Sequence, residues 1–307
     1  MPPDQSAALQ CDIVTLARHA NPMDTTDEAS TSPYCEPGIL QLPRHSLQHR
    51  VPHVKQLFNW DCGLACAMMV LKAVGLHHCD YALLRQLCPT TSIWTIDLAH
   101  LLRRFGLGVA FTTITLGPNP AYANESFYSA SLQEDERRVS RLFRDAHGAG
   151  ISVAQRSVGA QELACALLAA DTLVLVLVDK RRLDPWLAAA DACLPYALCG
   201  LAGSDVVGYT GHYILLVGYD GARGEFLVRD PAGSSGGEPA RITPGALDAA
   251  RKAFGTDEDV LFLSHPALAR RAQAAQQRRH PQPWQGQAEE EGDLQQEQGQ
   301  YVVAGVV

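Results

Sequence analysis

The sequence predicts an α+β protein in which a cysteine-bearing helix packs on antiparallel strands. Three observations lead there: an apolar, helix-forming run from Cys62 to Val74, a pair of strand-like runs on either side of a glycine-rich turn between His212 and Asp230, and mixed helix and strand patterns between the two.

Taken in order, residues 1–48 mix Pro, Ser, Thr, Asp and His with few periodic apolar positions, which predicts a flexible arm. The folded domain is expected over residues 49–265. Cys62 to Val74 contains the helix formers Leu64, Ala65, Met68, Met69, Leu71 and Lys72, with Asp61 suited to the N-cap and Gly75 to the stop. A second helix is predicted from Ile96 to Phe105. A third has a capping box in Ser131 and Glu134, followed by Val139, Leu142, Phe143 and Ala146 at helical spacing before Gly148. Strands are predicted over 151–155 and 172–178, with a helix over 160–170 between them. His212 to Tyr219, the turn Asp220 to Gly224, and Glu225 to Asp230 form a predicted hairpin. Within residues 266–307, the stretch 273–300 holds ten glutamines, the run Glu289-Glu290-Glu291, and almost no apolar residue beyond Trp284 and Leu294. They predict a disordered tail.

Composition narrows the function. With 307 residues, 47% of them hydrophobic, there is ample material for one core. A net charge of -8 and the lack of a basic stretch argue against nucleic acid as a partner. Residues 1–9 have no cationic region leading into an apolar run, and the longest aliphatic run, Leu173 to Val178, is far too short to span a bilayer, so no membrane association is expected. Nine scattered cysteines make a poor disulfide framework and point to a reducing compartment, the cytoplasm with the nucleus also open.

A cysteine attacks only as thiolate, and a helix N-terminus next to an imidazolium favours that form. Cys62 has the helix start, and His212 is the best partner among eleven histidines. Pairing the hairpin about Gly221 sets His212 opposite Asp230, where a carboxylate can fix the imidazole's tautomer and orientation. Gln56, on the loop before the helix, can join the Cys62 backbone N–H as an oxyanion-stabilising group. These four residues would suffice for acyl transfer through a thioester.

Four segments in order carry a resemblance: Val54 to Cys66, Ser92 to Leu98, Gly211 to Tyr219 and Gly255 to Phe262. Over about residues 50–264 the chain resembles the guanylyl cyclase domain-containing protein family. Its Gln-x5-Cys pattern with Asp-Cys-Gly also resembles the bacteriocin-processing double-glycine peptidases, and that likeness implies a papain-like fold with Gln56, Cys62, His212 and Asp230 in catalytic positions. Family members often carry Asn where this chain has Asp230. They often have a cysteine-rich insertion before the histidine strand, whereas here residues 179–210 keep only Cys193 and Cys199.

The remaining candidates read as structural. Cys66, one helical turn after Cys62, reads as a core residue, and Trp60 and Trp94 as core packing. His53 with His77, His78 and Cys79 fits no regular zinc spacing. Arg270, Arg271, Arg278 and Arg279 read as solvated charges. Neither a cofactor nor a metal is predicted. The favoured function is a cysteine-dependent hydrolase acting on a peptide or acyl substrate. The family name offers an alternative, a cyclase making cyclic GMP from GTP, for which the sequence supplies no Gly-x4-Gly-Lys-Ser/Thr loop and only Asp257, Glu258 and Asp259 as clustered carboxylates. A catalytically silent binding module on the same fold is the third reading.

Overall fold

The computed structural model describes residues 42–124, 132–183, 209–233 and 237–279. The element order is β1 (Leu47–Gln48), α1 (Cys62–Val74), α2 (Tyr81–Leu87), α3 (Thr95–Arg104), β2 (Gly108–Thr113), α4 (Leu132–Asp145), β3 (Ile151–Gln155) and α5 (Ala160–Leu168). It continues with β4 (Thr172–Asp179), β5 (Gly211–Asp220), β6 (Glu225–Arg229), β7 (Ala240–Ile242), α6 (Pro244–Arg251), β8 (Val260–Ser264) and α7 (Pro266–Arg279). The protein is α+β, with the cysteine helix packed on a sheet.

One sheet runs in the order β3-β2-β8-β4-β5-β6-β7, with β1 added to β5. Every pair is antiparallel except β2 with β3. The aliphatic run of β4 is explained by its central place, because both of its faces are covered. Leu173, Leu175 and Leu177 enter one core with Leu64 and Met69 of α1 and Leu98 and Leu102 of α3, while Val174, Val176 and Val178 enter a second with Leu163 and Leu167 of α5 and Leu247 of α6. A strand buried on both sides has no polar alternation to show in sequence.

Element boundaries follow the sequence closely within this middle section. The helix from Cys62 ends at Gly75, whose φ of 104° is the left-handed stop that favours glycine. The capping residue Ser131 lies outside the described residues; of its helix, Val139 and Ala146 are buried as the spacing requires. The ends of the domain differ from the expected boundaries. Leu47 and Gln48, placed in the arm by composition, pair with Tyr219 and Gly218 of β5, and His49 donates from its backbone to Val217 O at 2.8 Å. The glutamine-rich segment begins as α7, which buries Ala267, Leu268 and Ala272. Arg271, expected to be solvated, donates to Ala73 O at 2.7 Å and to Lys72 O at 3.3 Å, two carbonyls of the last turn of α1. No helix among the described residues is long and apolar enough to cross a membrane.

Because Leu268 is only 2% exposed and belongs to the core that holds α1, Leu268→Ala is expected to cost about 2–4 kcal/mol of stability. Urea denaturation of the two proteins measures it.

Candidate active site

Cys62 is the first residue of α1, and Asp61 precedes it as N-cap residue. The Asp61 side chain does not cap the helix, however. It turns back, fully buried, and accepts from Leu57 N and Phe58 N at 3.0 Å each and from the Tyr81 hydroxyl on α2. With three donors around a buried carboxylate, Asp61 pins the 56–60 loop to the start of the cysteine helix. Tyr81 carried no sequence signal for this part, since nothing in the spacing of α2 relates it to Asp61.

His212 and Asp230 are joined by a 2.6 Å bond from Nε2 to Oδ1. The predicted pairing found the right partners by an inexact register. Strand β6 stops at Arg229, which pairs with Leu215, so Asp230 continues toward Ile214 and meets His212 diagonally. Near the turn, Tyr219 pairs with Phe226 and Asp220 with Glu225; between Leu216 and Gly218 the register shifts at a bulge. Without that shift the pairing would carry Asp230 to the opposite face from His212, because side chains alternate with every residue. The loop after Asp230 is also fixed. Ala232 N donates to Asp230 Oδ1 at 2.8 Å, His53 Nε2 bonds Asp230 O at 2.8 Å, and Gln56 N donates to Pro231 O at 2.9 Å. His53 is therefore tied to the backbone at Asp230.

Burial by itself would lower the His212 pKa. Hydrogen bonds to Asp230 and to Cys62, with the charges of both, outweigh it and raise the value to about 9. Burial pulls Asp230 upward, but the His212 bond and charge and the Ala232 N–H leave it below the ordinary carboxylate value. The folded imidazole thus holds its proton more tightly than the unfolded chain's. Its contribution to stability is complete below about pH 6.5 and is lost as pH rises through about 9.

Gln56 lies on the loop that Asp61 holds. Its Nε2 donates to Phe58 O at 2.6 Å, and its Oε1 is buried without a partner among the described residues. One amide N–H is committed there, and a second remains.

Cys62 opens into a cavity of about 350 Å³ lined also by Trp60, Trp94, Tyr213, Asp257 and Asp259. The tryptophans are thus walls of the cavity as well as packing residues. The Ser92–Asp97 segment forms one side and is held by carboxylates. Trp94 N donates to Asp97 Oδ2 at 2.9 Å, Trp94 Nε1 to Asp135 Oδ2 at 2.8 Å, and Ser92 Oγ to the same Asp135 oxygen. Arg138 on α4 ties the set together through Asp97, Asp135 and Ser92 O. On the other side, Asp257 and Glu258 take left-handed φ values of 47° and 53°, a costly conformation for side-chain-bearing residues. The sequence marked these carboxylates as clustered, but nothing in it placed two of them beside Cys62.

Cys66 is fully buried, and its thiol donates to Tyr213 O at 3.4 Å; burial pushes its pKa well up, as befits a core residue. No group of three His, Cys, Asp or Glu suited to a metal occurs among the described residues. Cys62, Cys66, Cys79 and Cys88 are free thiols, whereas Cys165 on α5 is disulfide-bonded, which departs from the disulfide-free expectation.

The order of these segments along the chain coincides with a known family. The family model described as Guanylylate cyclase matches residues 51–263, the whole stretch from β1's end to β8. The chain belongs to this family. Among curated members, the Guanylyl cyclase 1 of Arabidopsis thaliana is 46% identical over 215 residues, which span 70% of this chain and 75% of that one. Among solved structures, one described as a C39-like peptidase from Bacillus anthracis aligns with 72% of this guanylylate cyclase family chain and 98% of its own, at 12% identity and a TM-score of 0.41.

Since the hydrogen bond to Asp230, with its charge, helps raise the His212 pKa against burial, Asp230→Asn is expected to lower it. Titration of the His212 imidazole by NMR reads the shift; an unchanged midpoint would remove Asp230 from the site.

Proposed function

We propose that this protein is a cysteine-dependent acyl-transfer enzyme with a papain-like site, hydrolysing a peptide or other acyl bond. The observation that carries the reading is the continuous chain from Cys62 through the buried His212 to Asp230. Cys62 stands at a helix start beside an imidazole that a carboxylate holds, the arrangement of a cysteine nucleophile with its base. In this mechanism Sγ attacks the acyl carbon and forms the thioester bond. The Cys62 backbone N–H and the remaining Gln56 amide N–H receive the oxyanion. His212 gives its proton to the leaving group, then takes one from the water that hydrolyses the thioester, and the thiolate is restored.

A second reading has its own support, because the Arabidopsis relative is named a guanylyl cyclase and Asp257 and Asp259 bring two carboxylates to the same cavity. In that reading the pair would hold a divalent ion on the phosphates of GTP, and the thiol would have no part in attack by the ribose hydroxyl.

The two readings separate on one residue. Cys62→Ala and His212→Ala are each expected to reduce acyl-bond hydrolysis, and labelling of the site by an electrophilic probe, by at least about 10³-fold, while Asp230→Asn retains about 1–10%. Labelling is read by mass spectrometry against Cys66, Cys79 and Cys88. Cyclic GMP formation from GTP that requires a divalent metal and persists in Cys62→Ala would replace the acyl-transfer reading with the cyclase.

A further inference from the structure

The cavity beside Cys62 has an acidic side with no cation of its own. Asp257 and Asp259 both line it, and none of its described lining residues is Lys, Arg or His. The two carboxylates are not equivalent. Asp257 is already engaged, since its Oδ1 accepts from the Tyr122 hydroxyl at 2.7 Å and from Asn119 Nδ2 at 2.9 Å. Asp259 is only 7% exposed, and its Oδ1 has no hydrogen-bond partner among the described residues. Burial, with the Asp257 charge in addition, raises its pKa to about 8 despite hydrogen bonds from the Thr95 and Thr113 hydroxyls. With that pKa the Asp259 side chain is mostly protonated at neutral pH, and a cation brought beside it favours the ionised form, taking the place of the proton as its partner. The remaining walls suit a cation with an aliphatic stem. Trp60, Trp94 and Leu177 give the cavity apolar surface for such a stem.

We propose that Asp259 selects the substrate of this site: the acyl group presented to Cys62 carries a basic side chain, of guanidinium or ammonium type, whose charged end pairs with Asp259. The proposal rests on the acyl-transfer reading for its chemistry, with Asp259 as a specificity-determining residue and Asp257 as the second negative charge. A volume of about 350 Å³ accommodates a side chain of arginine length.

Butylguanidine and butylurea have the same shape and differ in charge, and they serve as probes. Titration calorimetry on Cys62→Ala measures binding without any need for a reactive thiol, and protection of wild-type Cys62 from iodoacetamide places the ligand in the cavity. Butylguanidine is expected to bind at least about tenfold tighter than butylurea and to slow Cys62 alkylation saturably; Asp259→Asn is expected to erase most of the difference, with its melting temperature checked alongside. If that variant does not fold, the wild-type comparison of the two probes decides. Equal affinity for the two, no binding of either, or full discrimination retained in Asp259→Asn would overturn the proposal, as would displacement of butylguanidine by Mn²⁺ alone, which would make the acidic pair a metal site. Failure of the acyl-transfer reading looks different: butylguanidine still binds through Asp259, while Cys62 reactivity is indifferent to His212.

Discussion

How closely α1 can lie on β5 sets the reach between Cys62 and His212, and Gly63 sets how closely α1 can lie. A Cβ at Gly63 would stand 2.8 Å from Leu98 Cδ1 and 3.1 Å from Tyr213 Cδ2, so the backbone of the cysteine helix rests directly on the residue after the histidine. A side chain at 63 would have to displace the Leu98 methyl groups of α3 and crowd the Tyr213 ring. Tyr213 in turn bonds the Thr95 hydroxyl at 3.0 Å, which carries the contact on to the cavity wall. Cys62, His212 and one side of the cavity thus share a single packing contact, and interiors packed this densely do not absorb small displacements without cost.

Much of this arrangement was legible in the sequence, because the informative segments are local. The helix from Cys62 to Val74 and the strand around His212 have caps, glycines and apolar runs that local physics reads directly. What escaped is non-local. Asp61 looked like a cap because caps are defined by position, yet its partners include Tyr81, twenty residues away. His53 had no assigned part because its partner is a backbone carbonyl 177 residues on. The ends of the domain were misjudged for a related reason. Leu47, Gln48 and the α7 residues sit in polar, low-complexity sequence, and only the tertiary partners β5 and α1 show that they pack.

The family name and the geometry draw attention to opposite sides of one cavity. Cys62 with His212 favours chemistry at carbon, whereas Asp257 and Asp259 are the groups a nucleotide reaction would need. A carboxylate raised toward pH 8 by burial suits a partner that arrives with its own positive charge. The tied wall of Ser92, Trp94, Asp97, Asp135 and Arg138 serves either chemistry, since it holds shape rather than protons.

The bulge between Leu216 and Gly218 bears on how this hairpin can change length over evolutionary time. A single-residue deletion inside β6 would flip Asp230 away from His212, and a second bulge or a compensating loss in β5 would be needed to bring it back. Loss of two residues would keep the face and cost only reach. Indels in β6 should therefore accumulate in even steps, while the turn at residues 221–224, outside the paired registers, is free to vary in odd ones.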